Sequence, residues 1–210
     1  MDLPRSRREE RRERELELRR ADVLSAAALE FAEKGFDGAQ MSALAARAEV
    51  ALGTLYTLFE SKEQLFEAVI VSSAAALQEH LVAKVEGVPD PRERLLALID
   101  AAFERARSEP AFFRIYTHAT HGFPARIRQA MGERAQAHFD FFAHWVIGLA
   151  RAAADAGALP GLAPEAFGLA LLGALTTATS AILAGATSQP PETIARDVRA
   201  LFARLLEAES

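Results

Sequence analysis

The spacing of apolar residues along the chain predicts α-helices throughout. Leu24, Ala27, Ala28 and Phe31 follow the i, i+3, i+4, i+7 repeat that places side chains on one face of a helix, and Gly35 follows as a helix stop. No stretch of the sequence alternates apolar and polar residues convincingly, as a half-buried strand requires. We therefore predict an all-α fold of about nine helices.

Capping residues and prolines mark where the later helices begin. Ser61 and Gln64 have the spacing of a capping box and open a long helix, which Gly87-Val88-Pro89 ends. The remaining starts are expected at Asp90-Pro91, near Pro110, near Pro124, at Pro164 and at Pro190-Pro191. The helix that starts near Pro124 is expected to continue unbroken to Gly157.

Two short predicted helices, at about residues 41–47 and 52–59, are separated only by the turn Ala48-Glu49-Val50. Leu44 and Leu55 can fill a small core between them, together with Val50. This pattern is typical of a helix-turn-helix, in which the second helix places its N-terminal end in a DNA major groove. Because short apolar helix pairs also occur in ordinary cores, the pattern alone is only moderately specific.

The literal residues are more specific. In chain order they are AAALEFAEKGF at 26–36, LAARA at 44–48, GTLY at 53–56 and FESKEQLF at 59–66. Over about residues 20–68 the sequence resembles the TetR family of transcriptional regulators. The resemblance implies a charged arm at 1–18, a helix-turn-helix DNA-binding domain of three helices at 19–65, and a helical ligand-binding and dimerisation domain at 66–210.

The resemblance also implies which residues face DNA. Carried over position by position, they are Gln40, Ala51, Leu52, Gly53, Thr54, Tyr56, Thr57, Leu58 and Lys62. Gly53 allows backbone N–H groups to approach a phosphate, and Lys62 combines a charge with a helix N-terminus. The chain departs from the family pattern at Ala51-Leu52, where Ser-Lys is common, and at Glu49, where Gly is frequent. Packing and capping are the alternative roles for Tyr56 and Lys62.

Charge does not by itself indicate a nucleic-acid partner. The net charge is −5, whereas proteins that coat phosphate backbones carry an excess of Lys and Arg. Residues 5–20 interleave arginines with glutamates. The arginines are Arg5, Arg7, Arg8, Arg11, Arg12, Arg14, Arg19 and Arg20. Such a run is compatible with a solvated helix and with an arm that reaches into a minor groove.

Cysteine content and the N-terminus exclude several classes of protein. The chain has no cysteine, which rules out disulfides, thiolate nucleophiles and cysteine-ligated zinc. No apolar h-region of a signal peptide follows Met1, so we expect a cytoplasmic protein.

Residues 103–146 are rich in aromatic and histidine side chains, which predicts a small-molecule pocket between bundled helices. The predicted ligand-binding residues are Phe103, Phe113, Tyr116, His118, His121, Phe139, Phe142, Trp145 and Thr176. For any single Phe in this set, a place in the core is the alternative. Because His118 and His121 lack further ligands at a suitable spacing, we expect no metal and no cofactor.

Residues 168–185 carry no charge. A helix that is apolar all round can cross a membrane, but this one lacks basic flanks and an aromatic belt. We favour a subunit interface, in which Gly168, Ala170, Gly173, Ala174 and Ala178 allow close approach and the final helix completes a four-helix contact between two copies.

Taken together, the sequence predicts a homodimeric, ligand-responsive DNA-binding transcriptional regulator. We expect a repressor that a small apolar or aromatic effector releases from a palindromic operator, with the long helix after Ser61 joining the two regions. The alternative is a helical sensor or protein-interaction module of the same fold that has lost specific DNA binding. An enzyme that uses His118, His121 or Asp140 is disfavoured, because no nucleophile–base–orienter arrangement is visible.

Overall fold

The computed structural model describes residues 7–120, 127–159 and 161–206, and each element of secondary structure in these ranges is an α-helix. The helices are α1 (Arg7–Gly38), α2 (Met41–Arg47), α3 (Leu52–Leu58), α4 (Lys62–Glu86), α5 (Pro91–Ser108), α6 (Pro110–Thr120), α7 (Ile127–Met131), α8 (Glu133–Asp155), α9 (Pro164–Leu183) and α10 (Pro191–Leu205). They form two compact units, unit 1 at Met1–Ser72 and unit 2 at Ser73–Ser210. The all-α prediction is confirmed.

The segment predicted as one helix up to Gly157 is two helices in the structure. Gly132, with φ 92° and ψ 169°, separates α7 from α8. A residue with this backbone conformation cannot continue a right-handed helix, and glycine adopts it without steric cost. The prediction of one continuous helix was wrong because apolar residues keep the helical spacing on both sides of Gly132.

The charge-dense N-terminal run is helical from residue 7 onward. It continues directly into the part of α1 that carries the buried Val23 and Phe31. The described side chains between residues 7 and 20 are exposed to solvent. Gly35, with φ 68° and ψ 178°, interrupts the helical backbone near the end of α1, at the predicted stop.

Unit 1 is built around a small core that closes beneath α3. Phe31, Leu44, Leu55 and Phe59 are fully or almost fully buried. The ring of Phe66 packs edge-on against Phe31, with centroids 5.0 Å apart. This core therefore joins α1, α2, α3 and the beginning of α4.

A buried carboxylate fastens α1 to α2. Glu30 is 2% exposed and forms ion pairs with Lys34 at 2.6 Å and with Arg47 at 3.2 Å. Arg47 also donates two hydrogen bonds to the carboxylate of Glu33, at 2.9 and 2.6 Å, which raise the pKa of Arg47. Since a buried charge needs partners and Arg47 supplies one of the two cations beside Glu30, this ion pair favours the packing of α2 against α1.

The turn between α2 and α3 contains a residue in the left-handed region. Glu49 has φ 54°, while the N–H of Glu49 donates to Ala46 and the N–H of Val50 donates to Ala45. These two bonds form a Schellman motif, which usually places glycine at the position of Glu49. The family pattern that favours Gly here thus has a physical cause, and Glu49 makes the same turn with some strain.

Unit 2 has one large core. Helix α5 packs against α8, α9 and α10, and its Leu95, Leu98 and Ile99 are fully buried. Asp90 caps α5 by accepting hydrogen bonds from the N–H groups of Arg92 and Glu93, as its spacing predicted. Phe167 of α9 meets Phe202 of α10 edge to face, with ring centroids 5.4 Å apart.

At Gly168, helix α9 approaches α8 of the same chain closely. A Cβ added at Gly168 would stand 2.8 Å from Cγ1 of Ile147 and 3.2 Å from its Cα. Gly168 is buried there, so the prediction that it serves the contact between subunits was wrong. Sequence cannot tell which neighbour a small residue faces. Ala170 and Gly173, which belong to the same predicted set, are exposed.

Two helices of the described residues are long and apolar enough to cross a membrane. They are α4 and α9, with mean hydropathies of 1.3 and 1.8. Length and composition are weak evidence for a span, because core helices meet the same criterion. In α9 the apolar residues have two surroundings: Leu171 and Leu175 are buried in the core of unit 2, whereas Leu169 is 59% exposed.

Candidate nucleic-acid interface and ligand region

Helix α3 has one buried residue and a broad exposed face. Leu55 is fully buried, whereas Leu52, Gly53, Tyr56 and Thr57 are exposed. Their spacing of i, i+1, i+4 and i+5 places these four residues on a single side of the helix. We call this side the α3 face. A helix that packs on a core through one side and is exposed on the other has the form required to enter a DNA groove.

The other predicted DNA-facing positions surround this face. Ala51, at the N-cap of α3, and Gln40, at the N-cap of α2, are exposed. Thr54 and Leu58 are half-buried. The structure therefore brings the predicted residues of α3 together, with two of them partly covered by the fold.

The α3 face is neutral. Residues 52–58 read LGTLYTL and carry no charged side chain. The hydroxyl of Thr57 donates to the carbonyl oxygen of Gly53 at 2.9 Å, so its methyl group and oxygen lone pairs are what it can offer a ligand. Tyr56 is 47% exposed and Leu52 is 43% exposed. Such a face can make apolar and hydroxyl contacts, and cations must come from elsewhere.

Lys62 uses its charge inside unit 1. Its Nζ donates to the carbonyl oxygens of Phe36 at 2.9 Å and Ala39 at 3.2 Å, and it lies 4.4 Å from the centre of the Phe36 ring. These contacts tie the start of α4 to the segment that follows Gly35. Capping, the alternative role considered for Lys62, is thus what the contacts support, and a phosphate contact stays a prediction.

The long helix α4 begins with the predicted capping box in a modified form. The hydroxyl of Ser61 accepts a hydrogen bond from the N–H of Gln64 at 3.2 Å. The side chain of Gln64 accepts from the N–H of Glu60 at 2.6 Å, one residue before the cap. The start of α4, and with it the position of Lys62, is therefore fixed by two local bonds.

Arg20 contacts α3, which the sequence reading missed. Its Nη1 donates to the carbonyl oxygen of Leu58 at 3.0 Å, and its guanidinium lies 4.1 Å from the centre of the Phe59 ring. In the sequence Arg20 stands among seven other arginines of the charged run. A usable signal was its spacing, since the buried Val23 and Ala27 follow at i+3 and i+7 on the same helical face.

In the predicted ligand region, part of the aromatic set belongs to the core. Phe103, Phe142 and Trp145 pack against the core of unit 2 and are half-buried. The rings of Phe142 and Trp145 are 5.5 Å apart. Phe113 and Phe139 are half-buried, and neither belongs to the core cluster.

Polar groups of α6 and α9 meet within unit 2. The hydroxyls of Thr117 and Ser180 are 2.9 Å apart, one turn or less from the predicted residues Tyr116 and Thr176. Thr176 is half-buried. Burial raises the pKa of the Tyr116 phenol to about 12. His118 is exposed, and His121 lies outside the described residues.

A groove lies elsewhere in unit 2. It has a volume of about 380 Å³ and is lined by Ala75, Gln78, Glu79, Val82, Ala83, Glu86 and His138. None of the predicted ligand-binding residues lines it. Among the residues that the structure describes, no group of three or more His, Asp or Glu side chains is arranged to hold a metal ion.

The segment that contains α3 is similar to a known protein family. Residues 23–69 match the family described as bacterial regulatory proteins, tetR family. The HTH-type transcriptional activator FasR of Mycolicibacterium smegmatis is 34% identical to the chain over 104 residues, which are 46% of this chain and 44% of FasR. The match thus spans less than half of the length of that relative.

Solved structures with a similar fold extend the likeness to most of the chain. FadR from Bacillus subtilis in complex with stearoyl-CoA superposes with a TM-score of 0.74 at 16% identity, over 89% of this chain and 99% of FadR. AibR in complex with isovaleryl coenzyme A and operator DNA superposes with a TM-score of 0.70 at 18% identity, over 87% of this chain and 97% of AibR. At these identities the likeness concerns the fold alone.

Proposed function

We propose that this protein is a member of the tetR family of bacterial regulatory proteins and acts as a ligand-responsive, sequence-specific DNA-binding transcriptional regulator, as the match of residues 23–69 supports. The observation that carries the proposal is the α3 face. It exposes Leu52, Gly53, Tyr56 and Thr57 above a core in which Leu55 and Phe59 are fully buried. An exposed helix face within the matched segment, packed on a core through its opposite side, is what groove recognition requires.

The chemistry of the α3 face suggests how bases would be read. Leu52 and the methyl group of Thr57 can contact the methyl group of thymine. The hydroxyl of Tyr56 can donate to a phosphate oxygen, and the exposed backbone at Gly53 can come close to the DNA backbone. Because α3 has no cation, we expect these apolar and hydroxyl contacts to contribute more to the affinity of α3 for DNA than phosphate neutralisation does.

A homodimer would supply the second recognition helix. The exposed apolar residues of unit 2 include Leu169 on α9 and Leu201 and Leu205 on α10. Helices α9 and α10 pack against each other, so they can present these residues to a second copy. Two recognition helices about 34–36 Å apart would fit successive turns of a palindromic operator.

The effector would bind in unit 2. We expect a small molecule with an apolar or aromatic part, held beside the half-buried Phe113, Phe139 and Tyr116. The acyl-coenzyme A ligands of FadR and AibR make acyl thioesters the first class to screen. Helix α4 supplies buried residues to both units, Ile70 to unit 1 and Leu81 to unit 2, and is a route for coupling. A coupling of about 1–3 kcal/mol changes operator affinity roughly 5–150-fold.

Repression relieved by the effector is the regulatory mode that we propose, in the cytoplasm and without enzymatic activity. A second mode, activation, is favoured by one observation, the likeness to the activator FasR. Transcription from a template that carries the selected operator distinguishes the two. A repressor lowers the transcript level and its effector restores it, whereas an activator raises the level.

The first experiment is selection of random duplex DNA on the purified protein, at two salt concentrations. The matched variants are Tyr56→Ala/Thr57→Ala on the α3 face and Leu29→Ala on α1, where Leu29 is 50% exposed, about as much as Tyr56. Wild type and the Leu29 variant should recover the same palindrome, bound less tightly at higher salt. The α3 variant should bind it about 5–150-fold more weakly, the effect of losing about 1–3 kcal/mol.

Two outcomes would contradict the proposal. If folded wild-type protein enriches no sequence, the protein is not a sequence-specific regulator, and the sensor or interaction module of the same fold takes its place. If a palindrome is recovered but the α3 variant binds it like wild type, the α3 face is not the surface that contacts DNA.

A further inference from the structure

The contact between Arg20 and the end of α3 joins two parts of unit 1 that are far apart in sequence. Arg20 belongs to the N-terminal half of α1, and Leu58 is the last residue of α3. The guanidinium donates to the carbonyl oxygen of Leu58 at 3.0 Å and stacks over the ring of Phe59 at 4.1 Å. Phe59 is fully buried, so the ring under the guanidinium is itself fixed in the core.

Three considerations indicate that this contact gives α3 a defined position. The last carbonyl groups of a helix lack partners within it, and a cation at that end satisfies them and complements the helix dipole. The planar guanidinium can donate a directed hydrogen bond and stack on an aromatic ring at once. Helix α3 has only seven residues, too few to be stable without such support.

The contact also orients the guanidinium of Arg20, whose Nη1 is hydrogen-bonded to the end of α3. Its neighbour Arg19 is exposed and offers its charge to solvent or to DNA. Arg20 is exposed as well, but its guanidinium is directed towards Leu58 and Phe59. Substitution of the two adjacent arginines should therefore have different effects. Loss of a phosphate contact by Arg19 would weaken binding to every DNA sequence, whereas loss of the position of α3 held by Arg20 would weaken binding to the correct sequence.

We propose that Arg20 is a positioning residue that holds the C-terminal end of α3, and through it the α3 face, in the orientation that reads DNA. The proposal rests on the proposed function for its consequence in DNA binding, but its structural part is testable without DNA. Arg20→Ala should speed amide hydrogen exchange in the last turn of α3 and leave exchange in α2 and α5 unchanged. Arg19→Ala should leave exchange in α3 as in wild type.

With DNA the readout is the ratio of affinities for the selected operator and for a scrambled duplex. Arg20→Ala should lower this ratio about tenfold, mainly by weakening operator binding, with the salt dependence of scrambled-DNA binding unchanged. Arg20→Lys should recover only part of the ratio, because an ammonium keeps the charge near Leu58 and Phe59 but cannot donate a directed hydrogen bond and stack flat on the ring at once.

The outcomes separate this inference from the proposed function. Unchanged exchange in α3 of Arg20→Ala would overturn the inference whether or not DNA binds. Faster exchange throughout unit 1 would overturn it as well, because Arg20 would then be a general stability residue. An equal loss of affinity for both duplexes, with a shallower salt dependence, would make Arg20 a phosphate contact. Failure of the wild-type protein to select DNA would contradict the proposed function, whereas the amide hydrogen exchange of α3 would still test the role of Arg20.

Discussion

At the scale of single residues, the basic side chains around α3 differ in where their charge is used. Arg47 is bound to Glu30 and Glu33, Lys62 to two backbone carbonyls, and Arg20 to the end of α3. Exposed arginines such as Arg19 lie on the surface of the N-terminal part of α1. Their identical charge in the sequence gives no indication of this division.

Lys62 is expected to stabilise the fold in the absence of DNA. Lys62→Met keeps the length of the side chain and removes the donor to Phe36 and Ala39, so we expect the free energy of unfolding to fall by about 1–2 kcal/mol. Chemical denaturation measures this change. The matched control is Lys84→Met, which breaks a solvent-exposed ion pair with Glu104 and should cost less than about 1 kcal/mol.

Equal stability of wild type and Lys62→Met would show that the carbonyl contacts of Lys62 contribute little. Titration of the variant with operator DNA then tests the remaining prediction. A phosphate contact would show itself as a slope of log affinity against log salt that is shallower by about 0.9.

At the scale of elements, the packing of α8 against α9 depends on one missing side chain. Gly168→Ala introduces a Cβ 2.8 Å from Cγ1 of Ile147 and must push the helices apart. We expect a loss of roughly 1–3 kcal/mol in the free energy of unfolding, which is typical of overpacking. Thermal and chemical denaturation measure it. Trimming Ile147 to Ala in the same chain should recover part of the loss.

Gly148 is the control on the facing helix. It is exposed on α8, and a Cβ added there meets nothing within 4 Å. Gly148→Ala should therefore stabilise the protein by about 0.5–1 kcal/mol, the usual helix preference of Ala over Gly. If Gly168→Ala stabilised the protein as Gly148→Ala does, α8 and α9 would be farther apart than the structure shows.

At the scale of the whole molecule, the exposed apolar residues of α9 and α10 determine the expected assembly. Leu169 is 59% exposed and Leu201 is 54% exposed. Leu169→Glu/Leu201→Glu should give a folded monomer, because two carboxylates per copy would have to be buried in the contact. Sedimentation or light scattering measures the mass, and operator binding should weaken with loss of the dimer.

A matched variant distinguishes a specific interface from general surface apolarity. Leu162 is 42% exposed and lies in the connection before α9. Leu162→Glu should remain dimeric and bind DNA like wild type. A dimeric double variant, or a monomeric wild type, would contradict the predicted interface.

The features that the sequence alone predicts are those that depend on local interactions. Helix periodicity, the Ser61 and Asp90 caps and the order of residues in 26–66 are local properties, and they determined the all-α fold, most helix boundaries and the place of the helix-turn-helix. They missed the break at Gly132, because the backbone conformation of a glycine leaves no mark on apolar spacing.

Tertiary structure decided which partner each side chain has. It placed Arg20 on the end of α3, Lys62 on the carbonyls of Phe36 and Ala39, and Gly168 against Ile147. It also assigned Phe103 and Trp145 to the periphery of the core. The physical reason is distance along the chain: these contacts join residues that are far apart in sequence, and packing decides which segments face each other. The sequence alone shows the chemical type of each side chain, whereas the fold determines which partner that side chain contacts.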